Sequence, residues 1–294
     1  MGRTAPSILL LLVFLLVALP EASSRGFFRS NDDQDDNDLV GEGQGIVGGS
    51  KAEDSEFPWF AAFVPLVQCG GTLIAPDRVL TAAHCIQRGA PTNVRIGPTT
   101  LSNGENIAVT CGMYHPDYRV GASGDLFNDV AVLKLSTSSS ATPIKLNSNL
   151  NYPSTSGSPL QVVGFGATKE GGSTSNVLKK LGTYFQTIES CQGNYGNVEF
   201  GTHVCGNVDN EGDCQGDSGG PLFDATETQI GIVSYGIGCA RPSEDVYAGV
   251  AKYHDWIQEQ INNDECNVQA SCGFLASFFG CLDRARDFVL GSIF

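Results

Sequence analysis

Three short segments carry the side chains best suited to chemistry: Leu80-Thr81-Ala82-Ala83-His84-Cys85, Asn128-Asp129-Val130-Ala131-Val132-Leu133 and Gly216-Asp217-Ser218-Gly219-Gly220-Pro221. A serine hydroxyl is a poor nucleophile until a neighbouring base takes its proton as it attacks. His84 could be that base, and a carboxylate such as Asp129 could hold the imidazole in one tautomer. Each segment also has a plainer reading when taken singly. A histidine beside a cysteine is usually structural, an aspartate entering an apolar strand is usually a turn residue, and a serine among glycines is usually part of a loop.

The elements that would position these residues read as strands. From Ile46 onward, short β-branched and apolar runs such as Arg78–Leu80, Val130–Leu135, Leu160–Val163 and Ile230–Val233 are broken by Gly, Asn, Asp and Pro. That rhythm predicts an all-β barrel or sandwich. The stretch from Ser136 to Pro159, rich in Ser, Thr, Asn and Pro, reads as a linker between two halves. No internal sequence repeat is visible. Helices are predicted near Lys252–Ile261 and over Gly273–Leu290, where Leu275, Phe278, Phe279, Leu282 and Val289 recur at helical spacing.

The chain of 294 residues opens with Arg3, an apolar run from Ile8 to Leu19 and the small residues Ala22, Ser23 and Ser24. This fits a cleaved signal peptide over residues 1–24 and predicts a secreted, extracellular product with no membrane association. Residues 25–45, with Asp32, Asp33, Asp35, Asp36 and Asp38, form an acidic stretch of little apolar content, read as disordered. The net charge of −15 argues against nucleic acid as a partner. Residues 1–45 hold seven acids against three bases, a charge of −4, so the remainder keeps −11. Ten cysteines in an exported chain read as a disulfide framework. There is no C-x-x-C pair, and His84, His115, His203 and His254 are scattered, so no zinc site is expected. No Asn-x-Ser/Thr triplet occurs.

Together, in this order and at these separations, the three segments resemble those of serine endopeptidases of the trypsin and chymotrypsin type, over roughly Ile46 to Ile261. The resemblance implies two packed antiparallel six-stranded β-barrels with a C-terminal helix and an extra helical tail. The domains would then be a peptidase domain over 46–262, its barrels at about 46–148 and 149–262, and a cysteine-containing tail over 263–294. It assigns catalysis to His84, Asp129 and Ser218, and an oxyanion hole to the N–H groups of Gly216 and Ser218, worth about 3 kcal/mol per donor. The motif Ile46-Val47-Gly48-Gly49 matches the family's mature amino terminus, so a zymogen is implied. Cutting before Ile46 would free an ammonium group to pair with Asp217. Relatives activated by trypsin have Arg or Lys at the preceding position, whereas this chain has Gly45.

Substrate-binding residues also carry over. Ser234-Tyr235-Gly236 matches the segment that pairs with substrate backbone, although Tyr235 stands where Trp is commoner. The position that sets the preference before the scissile bond is Gly212, where trypsin-like relatives have Asp; Asp213 and Asp245 are the acids nearby. Asp245, at a position on the pocket wall usually held by Gly, predicts a preference for Arg and Lys, broadened toward larger apolar residues. The resemblance pairs Cys69 with Cys85, Cys191 with Cys205 and Cys214 with Cys239. Cys111, Cys266, Cys272 and Cys281 allow three pairings, of which Cys111–Cys266 and Cys272–Cys281 are favoured. With only Glu105 as an acid between Cys85 and Cys111, no bound calcium or other cofactor is expected. The expected partners are protein or peptide substrates and protein inhibitors, and the expected state is a monomer. The rival reading is a catalytically silent homologue acting as a binding or inhibitory protein. An esterase is excluded because its serine would precede the acid and the histidine in the chain.

Overall fold

Short apolar and β-branched runs form strands here, some buried on both faces, as Phe60–Val64 and Arg78–Thr81 are, and some on alternate residues, as Asn93–Ile96 is, because successive side chains point to opposite faces. In the computed structural model, which describes residues 46–66 and 68–265, such runs close two barrels. The first is built from β1 (Phe60–Val64), β2 (Gly70–Ala75), β3 (Arg78–Thr81), β4 (Asn93–Ile96), β5 (Glu105–Tyr114) and β6 (Ala131–Leu135), in the closed order β1-β2-β3-β6-β5-β4. The second uses β7 (Pro159–Gly164), β8 (Lys179–Gln186), β9 (His203–Asn207), β10 (Pro221–Phe223), β11 (Thr228–Tyr235) and β12 (Asp245–Gly249). Its order is β7-β8-β9-β12-β11-β10, with β10 returning to β7. All the barrel pairings are antiparallel, and the strand order is the same in both. An internal repeat is therefore present in the topology although none is visible in the residues.

Two short segments extend the second sheet: Ser50–Lys51 pairs with β8, and Lys145–Leu146, within the linker, runs parallel to β11. The barrels share one apolar core. Phe57 and Trp59 of the first half meet Phe223 of the second, with Trp59 and Phe223 centroids 4.9 Å apart and nearly perpendicular. Phe60 packs on Phe165 at 5.9 Å. Aromatic burial of this size is a large part of what holds the halves in register.

A 3₁₀ turn at Val250–Tyr253 leads into the C-terminal helix, His254–Asn262, which buries Ile257 completely. The last carbonyls of a helix lack partners within it, and here Arg78 supplies them from β3. Its buried guanidinium donates to Gln260 O (3.2 Å) and Asn263 O (3.0 Å) and pairs with Asp77 and Asp264. Lys134 adds a bond to Asp264 O at 2.8 Å. The predicted helix at 273–290, the leader at 1–24 and the acidic stretch at 25–45 lie outside the described residues. Among the described residues no helix is long and apolar enough to cross a membrane.

Candidate active site

The pairing Thr81↔Ala131 between β3 and β6 brings two neighbouring strand ends to the same rim of the first barrel. Three residues beyond Thr81, His84 sits on the short helix Ala83–Ile86, and two residues before Ala131 lies Asp129. The ring Nδ1–H of His84 donates to Asp129 Oδ2 at 2.7 Å, and its backbone N–H donates to Oδ1 at 2.8 Å. A carboxylate can only accept, so Nε2 carries the lone pair of the ring; its near neighbour is the disulfide sulfur of Cys85, at 3.7 Å. Ser234 Oγ on β11 donates to the same Oδ2 at 2.6 Å, which makes Asp129 a fully buried acceptor of three bonds. Three such bonds fix a buried carboxylate in position.

Ser218 comes from the second barrel, in the turn before β10. That turn is tied to β11 by Gly219 N–H to Val233 O (2.8 Å) and Val233 N–H to Gly220 O (2.9 Å). A bond from Gly70 N–H to Ser218 O (2.8 Å) ties it to the first barrel. Gly216 has φ +103°, a conformation that side chains rarely adopt. Among the described residues neither the Gly216 nor the Ser218 N–H donates to a protein acceptor. Both residues line a cleft of about 720 Å³ together with His84. A nucleophile, a base and two unspent donors thus face one space.

The carboxyl of Asp217 is turned away from that space and buried. It accepts from Gly166 N–H (2.8 Å) and Cys214 N–H (3.0 Å). A Cβ at Gly164 or Gly166 would lie about 2 Å from its oxygens, so only glycine lets the carboxyl in. Burial and, after it, the negative charge of Asp213 push its pKa up to about 8. Ile46 is fully buried among Leu160, Val162, Leu181, Leu222 and Tyr247, and Val47 pairs with Gly212 in both directions. Ile46 has φ +48°, strained for a β-branched residue.

Two acids lie close to Gly212, in the segment that leads to Ser218. Asp245, at the start of β12, places Oδ2 2.9 Å from where a Cβ on Gly212 would be, and Oδ1 3.0 Å from the same point on Gly236. Its carboxylate therefore fills the space a side chain at Gly212 would use. Asp213 lies beside it, buried, with Oδ2 unpartnered. Desolvation holds both acids above the ordinary carboxylate range; for Asp245 the Asp213 charge adds to it.

Residues 46–257 match the trypsin family. The chain belongs to that family. It is 37% identical over 227 residues to a trypsin of Saccharopolyspora erythraea, covering 74% of this chain and 98% of that one. It is 35% identical over 230 residues to a trypsin of Squalus acanthias, covering 74% and 96%. Among solved structures, neuropsin, a serine protease expressed in the limbic system of mouse brain, superposes with TM-score 0.67 at 28% identity. That match covers 74% of this chain and all of the other. The protein is accordingly a serine endopeptidase of two β-barrels.

This trypsin relative forms three disulfides among its described residues, Cys69–Cys85, Cys191–Cys205 and Cys214–Cys239. The first braces the His84 helix and the third joins the segment before Ser218 to the loop after Gly236. His84 and the sulfurs of Cys69 and Cys85 cluster closely, but a disulfide offers no thiolate to a metal. Cys111 is also disulfide-bonded; the expected pairings of Cys266, Cys272 and Cys281 lie outside the described residues. Tyr235 stacks edge-on against Tyr195 and His203, and its strand ends there, leaving Gly236 beyond the ladder.

Two supports were not legible in the sequence. His203 on β9 accepts Glu199 N–H at Nδ1 (3.0 Å), so its Nε2–H donates to Leu126 O (2.9 Å), holding the hairpin that delivers Asp129 from 77 residues away. Burial lowers its pKa and keeps it neutral. Ser234, expected only as backbone for the substrate, also contributes its hydroxyl to Asp129.

Proposed function

We propose that the protein is secreted as a zymogen. In this reading residues 1–24 direct export, residues 25–45 are removed by a cut before Ile46, and residues 46–262 hydrolyse peptide bonds through an acyl-enzyme. Ser218 Oγ attacks the scissile carbonyl carbon while His84 Nε2 takes its proton. The oxyanion is held by the N–H groups of Gly216 and Ser218, the C–N bond breaks, and His84 returns the proton to the leaving amine. Water then repeats the sequence on the ester and frees Ser218. The observation that carries this reading is the His84–Asp129–Ser234 chain of bonds, which leaves Nε2 as the free base in the cleft that holds Ser218.

Activation is supported by what already surrounds Ile46. Its side chain is buried, Val47 is paired, and a cut at Gly45–Ile46 would abolish a φ torsion that costs roughly 1–3 kcal/mol. The new ammonium group would give Asp217 a cation, which it does not have among the described residues. For substrate choice, the Asp245 carboxylate between Gly212 and Gly236 favours Arg or Lys before the scissile bond. Its place in front of Gly212, rather than on a side chain at 212, leaves room for larger apolar residues as well. Protein substrates, protein inhibitors and a monomeric state complete the reading. The test compares kcat/KM for matched substrates ending in Arg, Lys, Phe and Leu, in the parent and in Asp245→Ala. Arg and Lys should lead in the parent, and the Arg-to-Phe ratio should collapse in the variant. An unchanged ratio would remove Asp245 from the specificity site.

A further inference from the structure

The cleft that holds His84 and Ser218 is lined by neither Asp213 nor Asp245 and so lies apart from the specificity pocket proposed around Asp245. It is walled by Phe63, Pro65, Leu66, the Cys69–Cys85 disulfide and Pro91, and touches the pocket side only at Gln215, Gly216 and Ser218. Neither Ser234–Gly236 nor Asp245 lines it. A scissile bond whose oxygen faces the Gly216 and Ser218 N–H groups, with its acyl half along Ser234–Gly236, must send its amine half into this cleft. At about 720 Å³ the space takes several residues.

Its charge is opposite to that of the rest of the molecule. In a chain of net charge −15, no carboxylate among the described residues lines the cleft, and the one permanent cation among them is Arg88, on the exposed loop after the His84 helix. Arg88 has no ion pair or hydrogen bond among the described residues, so its guanidinium is uncommitted. Leu66, opposite, is 67% exposed. Resting on the acyl-enzyme reading above, we infer that Arg88 is a specificity residue for the leaving-group side, selecting substrates with an acidic side chain at the second or third position after the scissile bond. The apolar walls take the residue adjoining the bond. Substrate would then be read as a dipole, with a cation before the cut and an anion after it.

Acyl transfer isolates this half of the site. An acyl-enzyme formed from a blocked arginine ester is offered the acceptors Leu-Asp-Ala-amide, Leu-Ala-Asp-amide and their Lys counterparts. The acceptor nitrogen attacks the ester carbonyl, its proton passes to His84, and Ser218 Oγ leaves with that proton, so the ratio of peptide to free acid reads acceptor binding alone. An exposed pair of this kind should favour an Asp acceptor over its Lys counterpart three- to tenfold in dilute buffer, and less in 0.5 M salt. Arg88→Ala should level the ratio and Arg88→Glu invert it; because a ratio is read, any general loss of activity cancels. Equal partition in the parent, or an unchanged ratio in Arg88→Glu, overturns the assignment. If no acceptor yields peptide, the acyl-enzyme reading falls. Arg88 is then decided by competitive cleavage of matched peptides with Asp or Lys at those positions, judged by the same ratios.

Discussion

Replacing Asp217 with asparagine should stabilise the uncut precursor at pH 8 and destabilise it at pH 4. The carboxyl is 1% exposed and accepts two backbone N–H groups, with a pKa near 8 against an ordinary 3.8. Below pH 4 both folded and unfolded chains hold the proton, and the group contributes nothing to pH dependence. Between about pH 4 and 8 the unfolded chain releases it while the folded chain keeps it, so stability falls as pH rises, by about 1.4 kcal/mol per pH unit. The accumulated loss at pH 8 is on the order of 6 kcal/mol. Asparagine has no proton to release, but its NH₂ cannot accept one of the two N–H bonds, a cost of about 1–3 kcal/mol. The two effects cancel near pH 5. In the cut enzyme the sign reverses at every pH above 5, because asparagine cannot pair with the ammonium of Ile46, and activity should be largely lost. The assay is urea unfolding of precursor at pH 4, 5, 6, 7 and 8, with and without Asp217→Asn, on a Ser218→Ala background that prevents self-digestion. A stability difference that does not change with pH would refute the buried, uncompensated carboxyl.

Other expectations follow from the same geometry. Ser218→Ala should lower kcat on the order of 10⁶-fold with an unchanged unfolding midpoint, so cleavage near the parent rate would end the mechanism. Ser234→Ala removes one donor from Asp129; kcat should drop about tenfold at unchanged KM, as for other lost positioning contacts, and the acidic limb of the pH profile should move upward, with Ser234→Thr restoring both. A flat pH response would make Ser234 merely structural. Non-reducing peptide mapping should recover Cys111 joined to Cys266 and Cys272 to Cys281. Cys111 faces Lys134 across β5 and β6, and Lys134 holds Asp264, two residues before Cys266. Recovery of Cys111 with Cys272 or Cys281 would refute this.

The strands around Val79, Val132, Val162 and Ile232 are readable because short apolar and β-branched runs between turn residues are a local signal. The helix near His254 is readable for the same reason. His84, Asp129 and Ser218 stand out through flanking residues that packing constrains. Gly216 and Gly219 turn the chain through positive φ, and Ala83 is fully buried. What could not be read depends on distant partners. His203 acts on Leu126 through a carbonyl, which any residue offers. The shared strand order of the two barrels needs only apolar inward faces, which many sequences supply, so it leaves no repeat in the residues. Arg88 gains its meaning only when folding gathers a cleft without acids around it.

The hydroxyl of Ser234 crosses from the second barrel to the carboxylate of Asp129 on the first, and Gly70 N–H reaches back to Ser218 O. During synthesis the first barrel emerges with its histidine and aspartate complete, yet it has no nucleophile. When the second barrel emerges, Ser218 still stands apart until the halves dock. Cutting power is therefore withheld from every partly made chain, whatever the state of its leader, and arrives only with assembly. Two halves expressed as separate polypeptides, split within the linker, would report their own reunion by regaining turnover.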